Sequence, residues 1–322
     1  MQTAKQKEKR RDIQGIRGVA IVYVLLFHMF PKQFPHGFLG VDMFFVISGF
    51  LITMILRRED ELTCSDVMIF FKKRIKRIFP AYYLVLVLII ICGLTTLASS
   101  DFRLLKTDTL WAVGFATNFH KYFQGLDYFA QVGLIVANFD FLLHTWSLAV
   151  EIQFYVVAPI LILMSRHFVG KYFFCSSLFI ASVWFNLTAT GQLQFSSLPS
   201  RIWQFMCGGI AYTYSVAATY ILVAIVVHLG QFPSWTVAVP LFIVSPITLL
   251  LPLSDTVFRF LVTFASAFII SANNNFLNKY ILGNDLLYFI GEISYSVYLF
   301  HWPIILFLKY SSNVDELSFK GK

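Results

Sequence analysis

The first apolar segment, Asp12 to Phe30, constrains this chain more than any other stretch. At ~1.5 Å per residue a helix of that length covers about the 30 Å hydrocarbon core of a bilayer. Two ionisable side chains interrupt it. Arg17 opens and His28 closes the run Ile16-Arg17-Gly18-Val19-Ala20-Ile21-Val22-Tyr23-Val24-Leu25-Leu26-Phe27-His28. At ~100° per residue, eleven helical steps return His28 to within about 20° of Arg17, roughly 16 Å along the axis. One face of a membrane helix would then carry a cation near one end and an imidazole near the other. Ionisable groups in such a place are costly and default to a functional reading. The other reading makes Arg17 a positive-inside anchor and His28 an interfacial cap.

The rest of the chain repeats this character. Hydrophobic residues make up 58% of the sequence and charged residues only 13%, with a mean hydropathy of +0.72. Soluble domains carry about a quarter charged residues, so a soluble enzyme is excluded. The fold class expected is all-α, a polytopic transmembrane helix bundle of about ten spans in contact with the lipid bilayer. The net charge of +8 is not a nucleic-acid signal, because much of it sits in short stretches beside apolar segments, as positive-inside topology predicts. Cys64, Cys92, Cys175 and Cys207 show no metal-type spacing, so no metal is expected.

In chain order, residues 1–12 read as a cytoplasmic basic tail, 13–310 as a membrane domain and 311–322 as a second cytoplasmic tail. Spans are expected over 12–30, 38–56, 81–97, 144–164, 172–188, 202–215, 220–232, 235–253, 257–272 and 286–308. Phe70 to Pro80 alternates basic and apolar groups like an interfacial helix on the cytoplasmic face. Leu110 to Phe123 is short for a span and contains Asn118 and His120, which reads as a re-entrant half-helix. An Asn-rich loop follows at 273–275. Ten spans would leave both termini in the cytoplasm.

Several polar side chains stand out against this apolar background. Asp42, near the outer end of the second segment, is close in sequence to His28 and could fix its imidazole, or serve as a helix N-terminal carboxylate. Arg74 and Arg77, spaced i, i+3, share a helix face and suit a phosphorylated cytoplasmic donor or anionic headgroups. His144, Glu151 and Tyr155 fall on nearly one face of the segment that starts His144-Thr145-Trp146-Ser147-Leu148. Glu151 lies well inside an apolar run and needs a partner or a job; Arg17 or Arg201 could pair with it. In the last segment Ser294, Tyr298 and His301 share a face.

Together these stretches resemble the acyltransferase-3 family of integral membrane acyltransferases, from about Arg11 to Tyr310. The motifs are Arg17 and His28, Gly40-Val41-Asp42 through Ser48-Gly49-Phe50, Arg74 and Arg77 before Pro80, His144 to Leu148 with Glu151 and Phe154-Tyr155, and Ser294-Tyr295-Ser296 through Pro303. The resemblance implies transfer of an acyl group, often acetyl, from cytoplasmic acyl-CoA to a hydroxyl of a carbohydrate or lipid acceptor at or beyond the membrane. It makes His28 the catalytic imidazole with Arg17, Asp42 and Glu151 beside it. Arg74 and Arg77 would hold the CoA phosphates, and His144, Tyr155, Arg201 and His301 would line the substrate cavity. Ile152, Gln204 and Glu292 depart from the family's usual residues. The chain also resembles the branch often fused to an SGNH-type esterase-like domain, expected to be absent because about a dozen residues follow Tyr310. The competing class is a non-catalytic homologue, or a transporter of an acyl group or lipid-linked substrate.

Overall fold

The computed structural model describes residues 10–58, 61–125, 139–167, 169–225, 237–272 and 280–312. Among them the regular structure is helical throughout: α1 (Arg11–Met29), α2 (Leu39–Leu56), α3 (Cys64–Thr96), α4 (Ser99–Val113), α5 (Thr117–Gln124), α6 (Thr145–His167), α7 (Lys171–Thr188), α8 (Gly191–Ser196), α9 (Leu198–Ile225), α10 (Ala238–Val244), α11 (Asp255–Ala272) and α12 (Asp285–Ser312). Most of both tails, 1–9 and 313–322, and the 273–275 loop lie outside the described residues.

Among the described residues, six helical stretches are long and apolar enough to cross a membrane: Arg11–Met29, Pro35–Leu56, Cys64–Thr96, Thr145–Arg166, Asp255–Ala272 and Asp285–Ser312. The expected count of about ten is not confirmed. Helix α9 runs unbroken from Leu198 to Ile225 and absorbs the 202–215 span together with the start of the 220–232 span. The 235–253 segment breaks into the short α10 and a 3-10 turn at Pro246–Leu250.

Two further expectations change. The basic stretch before Pro80 is not a separate interfacial helix; it is the first half of α3, which continues through Pro80 to Thr96. A capping box starts α3, with the Thr63 and Asp66 side chains each bonding the other's backbone N–H. Pro80 removes one backbone donor from the ladder, a loss that membrane helices tolerate where neighbouring groups satisfy the freed carbonyl, and the helix continues on either side of it. The 110–123 half-helix is two helices, α4 and α5, broken at Phe115, which adopts φ 52°. That left-handed backbone is held by the Phe115 ring, stacked on Tyr82 at 4.7 Å and tilted on Phe79 at 5.0 Å.

The bundle is keyed by glycines that let backbones touch. A side chain at Gly15 or Gly291 would meet a carbonyl oxygen of the other segment at 1.9 or 2.0 Å, Leu282 O and Gln14 O respectively. Gly49 and Gly208 stand in the same relation to Phe205 O and Val46 O, each at 2.0 Å, where α2 meets α9. Small residues at helix crossings are how membrane bundles gain contact when lipid is as apolar as the core. Contacts along α1 and α12 proceed in register: Arg11 Nε donates to Gly283 O at 2.9 Å, Arg17 reaches Ser294 at 3.0 Å and His28 meets His301 at 3.3 Å. The two helices are therefore parallel, and Arg11 and Ser312 lie at opposite ends of the bundle.

Gly291→Ala places a methyl group 2.0 Å from Gln14 O, whereas at Gly114 the nearest atom is 3.7 Å away. Thermal unfolding in detergent should show Gly291→Ala destabilised by about 1–3 kcal/mol, as overpacking costs, with Gly114→Ala melting like wild type.

Candidate active site

Helices α1, α2, α3, α6 and α12 surround a cavity of about 90 Å³, whose lining includes Arg17, Ser48, Arg74, Arg77, Ser147, Glu151, Tyr155, Ser294 and Tyr298. The i, i+3 spacing predicted one face for Arg74 and Arg77, and both line the cavity. Arg74 is buried, its guanidinium over the rings of Phe70 and Tyr155 at 5.6 and 5.2 Å, while Arg77 is exposed. Neither guanidinium has a carboxylate partner among the described residues. Arg17 donates to Ser294 Oγ at 3.0 Å. The lining thus holds three guanidiniums against one carboxylate, Glu151.

Glu151 has no ion pair among the described residues. The expected pairing with Arg17 or Arg201 gives way to hydrogen bonds: Ser48 Oγ and Tyr155 Oη both donate to Glu151 Oε1 at 2.5 Å. The tyrosine is one helical turn along α6 from the carboxylate, as the i, i+4 spacing requires.

The histidines gather on the other side of Tyr298. His28 is buried, 4% exposed, and its Nδ1 lies 2.8 Å from Val24 O and 3.3 Å from His301 Nε2. His301 Nδ1 lies 2.7 Å from Tyr298 O. A carbonyl only accepts, so both Nδ1 atoms carry the proton; His301 Nε2 then accepts from His28, and His28 Nε2 is left with the ring lone pair. His144 Nε2 faces Leu299 O at 3.2 Å, and its ring is 5.6 Å from that of His301. Trp302 packs edge-on against His28 at 4.9 Å. Tyr298 joins the two parts: it lines the cavity, its ring is 5.6 Å from His301, and its hydroxyl bonds His144 O and, at 2.5 Å, Ser147 Oγ.

Asp42 and Arg201 belong elsewhere. The expectation that Asp42 fixes the His28 imidazole is replaced by an ion pair: Asp42 Oδ1 to Arg201 Nη1 at 2.9 Å, and Oδ2 to Arg259 Nε at 3.2 Å. Arg201 is fully buried and also donates through Nε to Phe195 O at 2.8 Å. Neither Asp42 nor Arg201 lines the cavity.

Sequence reasoning missed two groups. Arg259 sits in the apolar run of α11, and a guanidinium there was the available signal. The second is a buried charge cluster behind His144. Lys121 Nζ lies 2.5 Å from Asp140 Oδ2 and 3.2 Å from Asp108 Oδ1, and Asp140 O accepts from Trp302 Nε1 at 2.8 Å. Burial, and then the Asp140 carboxylate, push the Asp108 carboxyl up to about 6. Burial opposes the Lys121 ammonium, but Asp140 and Asp108 outweigh it and raise its pKa above the ordinary value. These groups are thirteen or more residues apart in sequence, and no short motif links them.

The sequence matches the family described as "Acyltransferase domain", the acyltransferase-3 family, over residues 10–318. The chain belongs to this family. It is 30% identical over 320 residues to the O-acetyltransferase OatA of Staphylococcus aureus strain NCTC 8325 / PS 47, a match covering 92% of this chain and 50% of that protein. OatA of S. aureus strain COL matches to the same extent. The chain thus spans about half the length of the curated relatives it matches. No solved structure matches it.

Asp42→Asn would leave Arg201 and Arg259 buried with no carboxylate between them. Removing one partner of a buried ion pair costs about 3–5 kcal/mol. A marked drop in the thermal midpoint is expected, whereas Glu151→Gln, whose side chain can still accept from Ser48 and Tyr155, should melt close to wild type.

Proposed function

We propose that this protein is a multi-pass membrane O-acyltransferase that moves an acyl group, with acetyl favoured by the names of its relatives, from acyl-CoA to a hydroxyl acceptor such as a carbohydrate or lipid. The observation that carries the reading is the cavity wall: Arg17, Arg74 and Arg77 converge there with Glu151 as the one acid in the lining, and Tyr298, which lines that wall, packs on His301 of the His28 cluster. Guanidiniums without carboxylate partners suit the phosphates of a CoA donor, which they can grip bidentately.

The bundle end that carries Arg11, Arg57, Arg166 and Lys171 takes the cytoplasmic side, following the positive-inside tendency. Arg57 and Arg166 tie the neighbouring ends of α2 and α6 together there, donating to Ser165 Oγ at 2.8 Å and Leu56 O at 2.9 Å. Arg77 stands at the exposed rim of the cavity on this side and His28 at the far end of α1. In that frame the donor's phosphates lie on Arg74 and Arg77 and its thioester points toward Tyr298 and His28.

His28 Nε2 then takes the proton of the acceptor hydroxyl. The hydroxyl oxygen forms its bond to the thioester carbonyl carbon, the carbon–sulfur bond breaks, and the CoA thiolate leaves and takes up the proton that His28 holds. His301 supports the tautomer that makes Nε2 the basic atom, by accepting from His28 Nδ1. Glu151, Tyr155 and Ser48 form a hydrogen-bonded polar group in the same lining, with Arg74 over the Tyr155 ring.

Membrane vesicles given radiolabelled acetyl-CoA and an acceptor pool provide the test. His28→Ala should abolish transfer while leaving acetyl-CoA binding in place. Arg74→Gln and Arg77→Gln should each raise KM for acetyl-CoA by about tenfold or more, the worth of a charge-assisted hydrogen bond, with a smaller effect on kcat. Undiminished transfer in His28→Ala would overturn the assignment, and a wild-type protein that binds CoA but never turns it over would favour a carrier.

A further inference from the structure

The Asp42 cluster has a charge imbalance that its own residues do not resolve. Arg201 is 0% exposed, Asp42 1% and Arg259 6%. Two guanidiniums therefore share one carboxylate inside the protein. The third polar group in reach, Gln204, is neutral: its Oε1 accepts from Arg201 Nη1 at 3.3 Å and its Nε2 donates to Thr263 Oγ1 at 3.3 Å. Asp255, one turn before Arg259 on α11, is half exposed, and its Oδ1 faces His36 Nδ1 at 3.0 Å. The internal stretches 226–236 and 273–279, which border α9, α10 and α11 in sequence, contain no Asp or Glu.

The two arginines are used differently. Arg201 spends Nε, Nη1 and Nη2 on Phe195 O, Asp42 and Gln204. Arg259 turns only its Nε toward Asp42, at 3.2 Å. Its two terminal nitrogens donate to no acceptor among the described residues, and the rings of Phe38 and Phe195 flank its guanidinium at 5.6 and 5.7 Å. Aromatic faces favour the charge but accept no strong hydrogen bond. A guanidinium more than nine-tenths buried, with its outer edge unbonded and one positive charge in excess around it, is built to receive an oxyanion.

Its position relates it to the chemistry. Phe38 lies between Arg259 and Phe27, with ring centroids of Phe27 and Phe38 6.0 Å apart, and Phe27 packs on His28 at 5.2 Å. The arginine and the imidazole thus stand on two sides of a thin aromatic layer, at the bundle end opposite the Arg74/Arg77 rim. We propose that Arg259, anchored through its Nε on Asp42, is an oxyanion subsite for the acceptor, so that the preferred acceptors are hydroxyl compounds bearing a carboxylate or phosphate. The proposal rests on the acyl-transfer reading for the identity of the ligand, but not for the existence of the site.

Two measurements test it separately. In the first, the purified full chain in detergent is unfolded thermally against increasing sodium phosphate or sodium acetate, with sodium chloride at matched ionic strength as the reference. Saturable stabilisation by one or both oxyanions is expected, with its midpoint concentration raised about 10- to 100-fold in Arg259→Gln, the worth of hydrogen bonds to a charged group. Equal behaviour of oxyanions and chloride, or of wild type and Arg259→Gln, would overturn the site. In the second, vesicles with acetyl-CoA are offered glucuronic acid against glucose and glycerol phosphate against glycerol. The anionic member of at least one pair should show the lower KM, and Arg259→Gln should shrink that ratio by about the same factor; the pair that responds distinguishes carboxylate from phosphate. No preference in wild type would overturn the acceptor assignment. Failure of wild type to acetylate any of the four would count against acyl transfer itself, while the unfolding titration still decides the oxyanion site. Should Arg259→Gln not fold, Arg259→Lys keeps the charge without the planar fork, and a weakened anion preference is expected there too.

Discussion

The close approach of α1 to α12 is the contact on which the rest of the site depends. Gly15 and Gly18 on one helix and Gly291 on the other leave no room for a Cβ against the facing backbone. Only at that separation can Arg17 reach Ser294 and His28 reach His301. Of the four side chains only Arg17 has a long reach; His28 and His301 meet directly because the helices run close together. The apolar packing around them, with Ile16, Ala20, Val24 and Phe27 buried on α1, fixes the rotation of the helix. The geometry of the proposed site is a consequence of backbone packing.

Three arrangements of buried charge coexist, and each is handled differently. Lys121 is balanced by Asp108 and Asp140, and the Asp140 carbonyl also accepts from Trp302, which packs on His28. Glu151 is satisfied by hydroxyls in place of a cation, which leaves the guanidiniums of the same cavity unneutralised. The Asp42 pair with Arg201 is complete but brings Arg259 with it as a surplus cation. Buried charge is expensive unless paired, so the two places where positive charge exceeds negative, the cavity and the Arg259 edge, are where anionic ligands gain most. They lie at opposite ends of the bundle, as a donor from one side and an acceptor from the other would require.

Much of this was legible in the sequence, for identifiable reasons. The helical class followed from apolar run lengths. The shared face of Arg74 and Arg77, and the Glu151–Tyr155 pair, followed from i, i+3 and i, i+4 spacing within single helices. The failures share a cause: they concern partners on different helices. Asp42 is fourteen residues from His28 in sequence but faces α9 and α11, because α2 turns that side away from α1. Glu151 lies among arginines yet bonds Ser48, which no spacing rule connects to it. Span boundaries failed where apolar character continues through a turn or stops short of one. Pro80 sits inside α3, whereas α4 ends at the Gly114 cap and the chain turns at Phe115, which adopts a left-handed backbone without being a glycine. The parallel run of α1 and α12, which separates their far ends, is likewise a property of packing that no count of apolar segments contains.

Sidedness is the most direct test of the account, because it places donor binding at the Arg77 rim and proton transfer deep in the bundle at His28. Acetyl-CoA sealed inside right-side-out vesicles, or added outside inside-out ones, reaches only the cytoplasmic face. The account predicts acetyl transfer from that face alone, with the acetylated hydroxyl appearing on the opposite side. Equal transfer when acetyl-CoA is supplied only to the other face would contradict it.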